Sequence, residues 1–163
     1  MCYYLSFYVV ILNHYFNNHY NFFAGIIITL FFIKVILPKI KEETDVIILD
    51  FHGEATSEKQ AMGWNLTGKV SVVYGTHTHT QTADERILPG GTAFISDVGM
   101  TGGHDGVLGM NKKESIQKFK DGMPNRYSVC KENPKINGIE VEVNEKTGKA
   151  VAIKRINMGY DEI

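Results

Sequence analysis

The chain has 163 residues, of which 44% are hydrophobic and 21% charged, and its formal net charge is -1. This length fits one domain with enough apolar residues for a core. The absence of a clustered basic excess argues against a protein that binds nucleic acid stably. Two cysteines, Cys2 and Cys130, with no C-x-x-C pattern argue against a disulfide framework and favour a reduced, cytoplasmic setting.

The first part of the sequence differs from the rest. Residues 1–40 contain no Asp or Glu, and two apolar runs, Tyr3–Leu12 and Phe22–Ile33, dominate them. Three interpretations of residues 1–33 stay open: a membrane anchor through Phe22–Leu37, a buried core segment, or a start that is not native. The anchor would be shorter than the roughly 20 apolar residues that a spanning helix needs. Over residues 34–163 the signals become regular and predict an alternating α/β domain.

The remaining sequence alternates apolar runs with helical segments, which is typical of an α/β protein. Asp45–Asp50 (DVIILD) and Val70–Tyr74 (VSVVY) are β-branched runs of the kind found in buried strands. Between them, Ser57 is placed to cap a helix that ends near Trp64, with Gln60 as its capping-box partner.

A third strand is predicted at Thr92–Ser96, and a second helix after Asn111. Glu114 holds the capping-box position of that helix, which ends near Gly122. Two later segments alternate apolar and polar residues, as the strands of an antiparallel hairpin do: Gly138–Val143 and Lys149–Ile156.

Three histidines follow the predicted strands and are the candidate metal ligands. His52 follows the first strand, and His77 and His79 follow the second. Ligands of open α/β sheets bind at the carboxyl ends of the strands, and imidazole is a common metal ligand. In an extended segment, residues two apart project to the same side, so His77 and His79 could face two adjacent ions. The alternative is an H-x-H pair in a surface turn without metal.

Nearby carboxylates are candidates for supporting roles. Asp50, Glu54 and Asp97 could ligate, hydrogen-bond a ligating imidazole or lie beside the substrate, although helix capping or solvation is the alternative. The glycine-rich segment Asp97–Gly109 could bring backbone amides to a phosphate, or could be a connecting loop. His104 within it is a weaker candidate for substrate contact.

Three strings of residues resemble the C-terminal half of the YmdB-type bacterial metallophosphoesterases of the calcineurin-like superfamily. They are DFHGEATSEK at 50–59, GTHTHTQTADERILPGGTAFISDVGMTG at 75–102 and DGVLGM at 105–110. The resemblance implies an α/β fold, a partial four-layer sandwich with a C-terminal antiparallel hairpin. It also implies hydrolysis of 2′,3′-cyclic nucleotides at two divalent metal ions, iron or manganese, with His52, His77 and His79 as ligands.

The resemblance covers only part of that family's site. The family's further Asp, Glu and Asn ligands and its histidine acid lie in GD, GEN and GNH motifs, none of which occurs here. We therefore expect weak or partial metal binding and no turnover of cyclic nucleotides by this chain alone. A membrane-anchored module without catalysis, a homo-oligomer, or a half that assembles with a separate N-terminal half are the alternatives.

Overall fold

The computed structural model describes residues 8–13 and 33–162, which contain two sheets and three α-helices. The first sheet has the order β1-β2-β3-β5-β4, in which β4 alone is antiparallel to its neighbour. Its strands are β1 (Tyr8–Asn13), β2 (Ile47–His52), β3 (Val72–Thr76), β4 (Arg86–Leu88) and β5 (Thr92–Ile95). The second sheet contains β6 (Gly102–Gly103), β7 (Pro134–Asn144) and β8 (Lys149–Gly159). The helices are α1 (residues 33–41), α2 (Thr56–Asn65) and α3 (Lys112–Asp121), and a 3-10 turn covers Tyr160–Glu162.

Helices α1 and α2 cover one face of the first sheet. Because side chains alternate along a strand, Leu49 and Phe51 of β2 point to this face and are almost fully buried there with Met62 of α2. Gly63 lets α2 approach the sheet closely, since a Cβ at this position would lie 2.5 Å from the ring of Phe94. The larger hydrophobic core therefore lies between these helices and the sheet.

The second sheet packs on the opposite face. Ile48 and Val72 point to this face and pack with Ala150 and Ile153 of β8. Two residues further along β2 and β3 the same face becomes polar, because Asp50 and then His52 follow Ile48 at the alternate positions. This face of the sheet is therefore apolar near the amino ends of β2 and β3 and polar at their carboxyl ends.

The expected mixed α/β class and the C-terminal hairpin are confirmed. β2 and β3 each lie two residues further along the chain than predicted, so His52 is the last residue of β2 rather than a residue beyond it. Both hairpin strands are longer than predicted, by four residues at the start of β7 and three at the end of β8. Both capping boxes are wrong. Ala55 is the N-cap of α2, and Asn111 is the N-cap of α3 without a side-chain capping bond. The predicted end of α3 at Gly122 is confirmed, because this residue has the left-handed conformation with φ 66°.

The N-terminal segment is described only at residues 8–13. These residues form β1, which pairs in parallel with β2 at the edge of the first sheet, with Tyr8 opposite Ile47 and Asn13 opposite His52. Most of the anchor predicted at Phe22–Leu37 lies outside the described residues. Among the residues that are described, no helix has the length and apolar character needed to cross a membrane.

Candidate functional site

The parallel register of β2 and β3 places His52 beside two other polar side chains. His52 lies opposite Thr76, and Asp50 lies opposite Tyr74. The Nδ1 atom of His52 is 3.0 Å from the hydroxyl of Thr76, and this hydroxyl donates to Asp50 Oδ1 at 2.9 Å. Burial raises the pKa of Tyr74, and the negative charge of Asp50 and a hydrogen bond to it raise this pKa further. Asp50 is therefore an acceptor between two hydroxyl groups and does not touch His52 directly.

His77 joins His52 to Glu54. Its Nδ1 atom lies 3.0 Å from His52 Nε2, and the two rings meet edge to face with centroids 4.8 Å apart. Its Nε2 atom lies 2.6 Å from Glu54 Oε2. The side chains of His77 and Glu54 are 41% and 81% exposed. This contact therefore faces solvent, where a ligand can reach it.

The segment that carries the second and third histidines is bent rather than extended, which corrects the premise that both rings share one direction. His77 and His79 have φ values of 117° and 62°. Positive φ values are unfavourable for residues with a side chain, cost about 1–3 kcal/mol each and often occur at functional sites. The bend directs His79 Nδ1 to the carbonyl of Leu108 at 3.2 Å. His52 and His77 are thus in contact, while His79 is bound to the glycine-rich segment.

Asp97 fixes the backbone of this bent segment through hydrogen bonds. One of its oxygens accepts from Lys59 Nζ at 2.8 Å and from the Thr78 amide at 3.0 Å, and the other accepts from the Gly99 amide. Burial alone would raise the pKa of Asp97, but the Lys59 ammonium and the two amides outweigh burial and place this pKa below its ordinary value. Asp97 therefore fixes the residue between His77 and His79, without contacting either ring.

Gly75 allows β3 to end beside this buried pair. A Cβ at position 75 would lie 1.8 Å from the carbonyl oxygen of Ser96 and 2.6 Å from the Lys59 side chain. No side chain fits this space without a shift of the backbone. The glycine of the GTHTH string is thus explained by close packing at the end of β3.

The donors of the site form a row instead of surrounding one point. Within residues 8–13 and 33–162, no group of three or more His, Cys, Asp or Glu side chains is arranged to hold a metal ion. His77 uses its two nitrogens, on opposite edges of the ring, for His52 and Glu54. Even so, the donor chemistry fits a divalent cation. Two nitrogen ligands at about 2.0–2.1 Å from one ion lie roughly 3 Å apart, which is close to the separation of the two imidazoles.

The sequence reasoning missed Thr76 and Lys59. Thr76 is the register partner of His52, and Lys59 forms the buried ion pair with Asp97. Strand register could have indicated Thr76, because the last residues of two adjacent parallel strands lie side by side. His104, by contrast, contacts the carbonyl of Met100 within its own loop and none of the other histidines among the described contacts.

Comparison with known proteins places these features in a family. Residues 26–156 match the model of the family described as YmdB-like protein. A Bacillus subtilis protein named 2′,3′-cyclic-nucleotide 2′-phosphodiesterase is 47% identical over 128 residues, which are 78% of this chain and 48% of the relative. The chain spans about half the length of the curated relatives it matches.

Two solved structures share the fold. The crystal structure of a novel phosphatase from Mycoplasma pneumoniae matches with a TM-score of 0.74 and 38% identity over 80% of this chain and 46% of that chain. A hypothetical protein from Thermus thermophilus matches with a TM-score of 0.72 and 29% identity over 94% of this chain and 56% of that chain. These likenesses confirm the expected fold class. Since the family model covers well over half of the sequence, the chain belongs to the YmdB-like family.

Proposed function

We propose that this chain supplies the histidine-bearing part of a metal-dependent phosphodiesterase site that acts on 2′,3′-cyclic nucleotides. The contact between His52 and His77 at the carboxyl ends of two parallel strands carries the proposal. The name of the Bacillus subtilis relative supports the choice of substrate. Ligands of open α/β sheets bind at this edge, where His77 is exposed and His52 is partly buried.

The proposed ligands are His52, His77 and His79. His79 donates its Nδ1 hydrogen to the Leu108 carbonyl, because a carbonyl can only accept. In the neutral ring this leaves Nε2 with the lone pair that a cation needs. Glu54 contacts Nε2 of His77, the nitrogen that does not face His52, and its highly exposed side chain can turn to supply an anionic oxygen to the site.

The remaining residues orient these donors. Asp97 and Lys59 hold the Thr78 amide and so fix the bend between His77 and His79. When bound, divalent cations supply Lewis-acid activation of a phosphodiester and lower the pKa of an attacking water. The residues of this chain hold and space those cations, and the described contacts assign none of them as a general acid.

Anionic ligands are scarce in this part of the site. Glu54 is in contact with His77, while Asp50 and Asp97 are each engaged by neighbouring donors. Two cations held close together need negative charge to offset their repulsion. We therefore expect weak metal binding and little turnover by this chain alone, with further ligands provided by another polypeptide segment, such as a separate N-terminal half or a second copy.

Titration of the metal-stripped chain with Mn²⁺ by calorimetry tests this proposal. We expect measurable binding that falls at least about tenfold in His52→Ala and His77→Ala, and also in His79→Ala. The matched control is His104→Ala, which removes an imidazole bonded to the Met100 carbonyl and to none of the other histidines among the described contacts, and it should leave the affinity unchanged. An affinity that is the same in all four variants, or no binding at all, contradicts the metal site.

A parallel assay of 2′,3′-cyclic nucleotide hydrolysis with Mn²⁺ tests the expected low activity. We expect little or no hydrolysis by the chain alone, and any hydrolysis should be lost in His77→Ala. Rapid turnover by the purified chain would show that its own residues complete the site, and metal-independent turnover would contradict the proposed chemistry.

A further inference from the structure

A chain of three side chains leads from the interior of the sheet to the outer edge of His52. Asp50 Oδ1, Thr76 Oγ1 and His52 Nδ1 follow one another at 2.9 Å and 3.0 Å, and His52 Nε2 then faces His77. All three residues lie on adjacent strands in parallel register, so the backbone of the sheet fixes their spacing. Thr76 is β-branched, which restricts the rotation that would break the chain.

The directions of these hydrogen bonds follow from the number of hydrogens available. An ionised carboxylate only accepts, and a hydroxyl has a single hydrogen. Thr76 gives that hydrogen to Asp50 and must therefore accept at its own oxygen from His52 Nδ1. The neutral His52 ring then carries its hydrogen on Nδ1 and its lone pair on Nε2. Neutral imidazole free in water prefers the opposite tautomer, so the protein selects the less common form.

We propose that Thr76 is a positioning residue which, together with Asp50, holds His52 in the Nδ1–H tautomer and thereby directs the Nε2 lone pair to the site. Metal-binding histidines generally bond through their second nitrogen to a carboxylate, a carbonyl or water. Here a threonine hydroxyl connects the ring to a carboxylate that does not touch it. The use of the lone pair for metal binding rests on the proposed function, whereas the tautomer itself does not.

Long-range ¹H–¹⁵N correlation spectra of the metal-free protein give the tautomer directly. They are recorded at about pH 8.5, well above the ordinary imidazole pKa of about 6.5, and the His52 signals are assigned by their absence in His52→Gln. We expect a protonated Nδ1 and an unprotonated Nε2 in the wild type. A wild-type ring with its hydrogen on Nε2 overturns the proposal.

Three variants separate the hydroxyl from the shape of the side chain. Thr76→Val keeps the branched shape but removes the hydroxyl, and it should move His52 to the Nε2–H form or to a mixture. Thr76→Ser keeps the hydroxyl and should retain the Nδ1–H form. Thr67→Val is the control, because the Thr67 hydroxyl donates to the carbonyl of Pro89, away from this chain of contacts. An unchanged tautomer in folded Thr76→Val overturns the proposal.

Asp50→Asn offers an independent test, because it can reverse the direction of the hydrogen bond between residue 50 and Thr76. The amide can donate to Thr76 Oγ1, which frees the Thr76 hydrogen for His52 Nδ1 and places the ring hydrogen on Nε2. Binding of Mn²⁺ should then weaken about 10–100-fold in Asp50→Asn and in Thr76→Val but not in Thr76→Ser. If wild-type protein binds no Mn²⁺, the proposed function fails, whereas the tautomer proposal is still decided by the spectra.

Discussion

Two contacts between a carboxylate and a nitrogen-bearing side chain lie at the carboxyl end of the first sheet, and they differ mainly in exposure. The side chains of Lys59 and Asp97 are 2% and 1% exposed, with Nζ 2.8 Å from Oδ2. Those of His77 and Glu54 are 41% and 81% exposed, with Nε2 2.6 Å from Oε2. Both contacts flank the same bent segment, because Asp97 binds the amide of Thr78 next to His77.

The difference indicates a division of roles between support and binding. A buried ion pair cannot lose one partner without leaving an uncompensated charge, so Lys59 and Asp97 fix the bend. An exposed pair contributes little to stability because water and salt screen it, so Glu54 can exchange His77 for another ligand. A ligand site requires both features: the buried Lys59–Asp97 pair provides rigid support, and the exposed His77–Glu54 contact can be exchanged for a ligand.

The largest expected effect comes from breaking the buried contact. Asp97→Asn should destabilise the protein by about 3–5 kcal/mol, since it leaves the Lys59 ammonium buried without a counter-charge. Urea unfolding followed by circular dichroism measures the loss. A control variant at the more exposed Arg155–Glu85 pair, Arg155→Gln, should cost less than about 1 kcal/mol.

The double variant Lys59→Met with Asp97→Asn sharpens this prediction. It removes the buried ammonium, while the Asn oxygen can still accept from the backbone amides, so it should be more stable than Asp97→Asn alone. A double variant that is less stable than the single one would show that the ammonium itself does not cause the loss.

A smaller effect is expected from acid. The folded-state pKa of Asp97 is lowered, chiefly by Lys59 against the opposing effect of burial, and that of Asp84 is lowered by the hydroxyls of Ser96 and Thr82 against burial. The unfolded chain therefore binds protons first as the pH falls. The stabilisation is complete above the ordinary Asp pKa of about 3.9 and is lost as the pH falls from there through the folded-state values.

Free energies of unfolding at a series of pH values from about 6 to 3 measure this loss. The dependence on pH should be weaker in Asp97→Asn, which lacks one of the two carboxylates, with the remainder due to Asp84 and other acids. Equal slopes for wild type and variant would contradict the assignment to Asp97.

Five of the eight described strands were predicted, β2, β3, β5, β7 and β8, because burial on a sheet leaves a local pattern, whereas β1, β4 and β6 were missed. The runs at Asp45–Asp50 and Val70–Tyr74 were found as β2 and β3 with displaced ends, since periodicity identifies an element better than its boundaries. The capping box of α3 failed for a physical reason, although Asn111 is the N-cap as predicted. Glu114 accepts from the amide and hydroxyl of Ser128 instead of capping α3, and this tertiary contact has no local signal.

The candidate site was only partly predictable. Residue type and strand-end position indicated His52 and His77, whose contact the structure shows. The direction of His79 depends on the positive φ values of the bent segment, and the GTHTH string contains no glycine at those positions to signal them. The pairing of Lys59 with Asp97 joins residues 38 positions apart, so only the folded chain reveals it. The metal-ligand role of all three histidines stays a prediction.

The smallest expected effect on stability comes from the exposed contact. Glu54→Gln keeps the size of the side chain but removes its charge, and because Glu54 is 81% exposed the free energy of unfolding should change by less than about 1 kcal/mol. The same variant should weaken Mn²⁺ binding by about 10-fold or more, because it removes the carboxylate in contact with His77. Urea unfolding and calorimetric titration on one preparation measure both quantities. A large loss of stability without a loss of Mn²⁺ affinity would reverse the roles assigned to the two contacts, since Glu54 would then support the fold rather than the ligand.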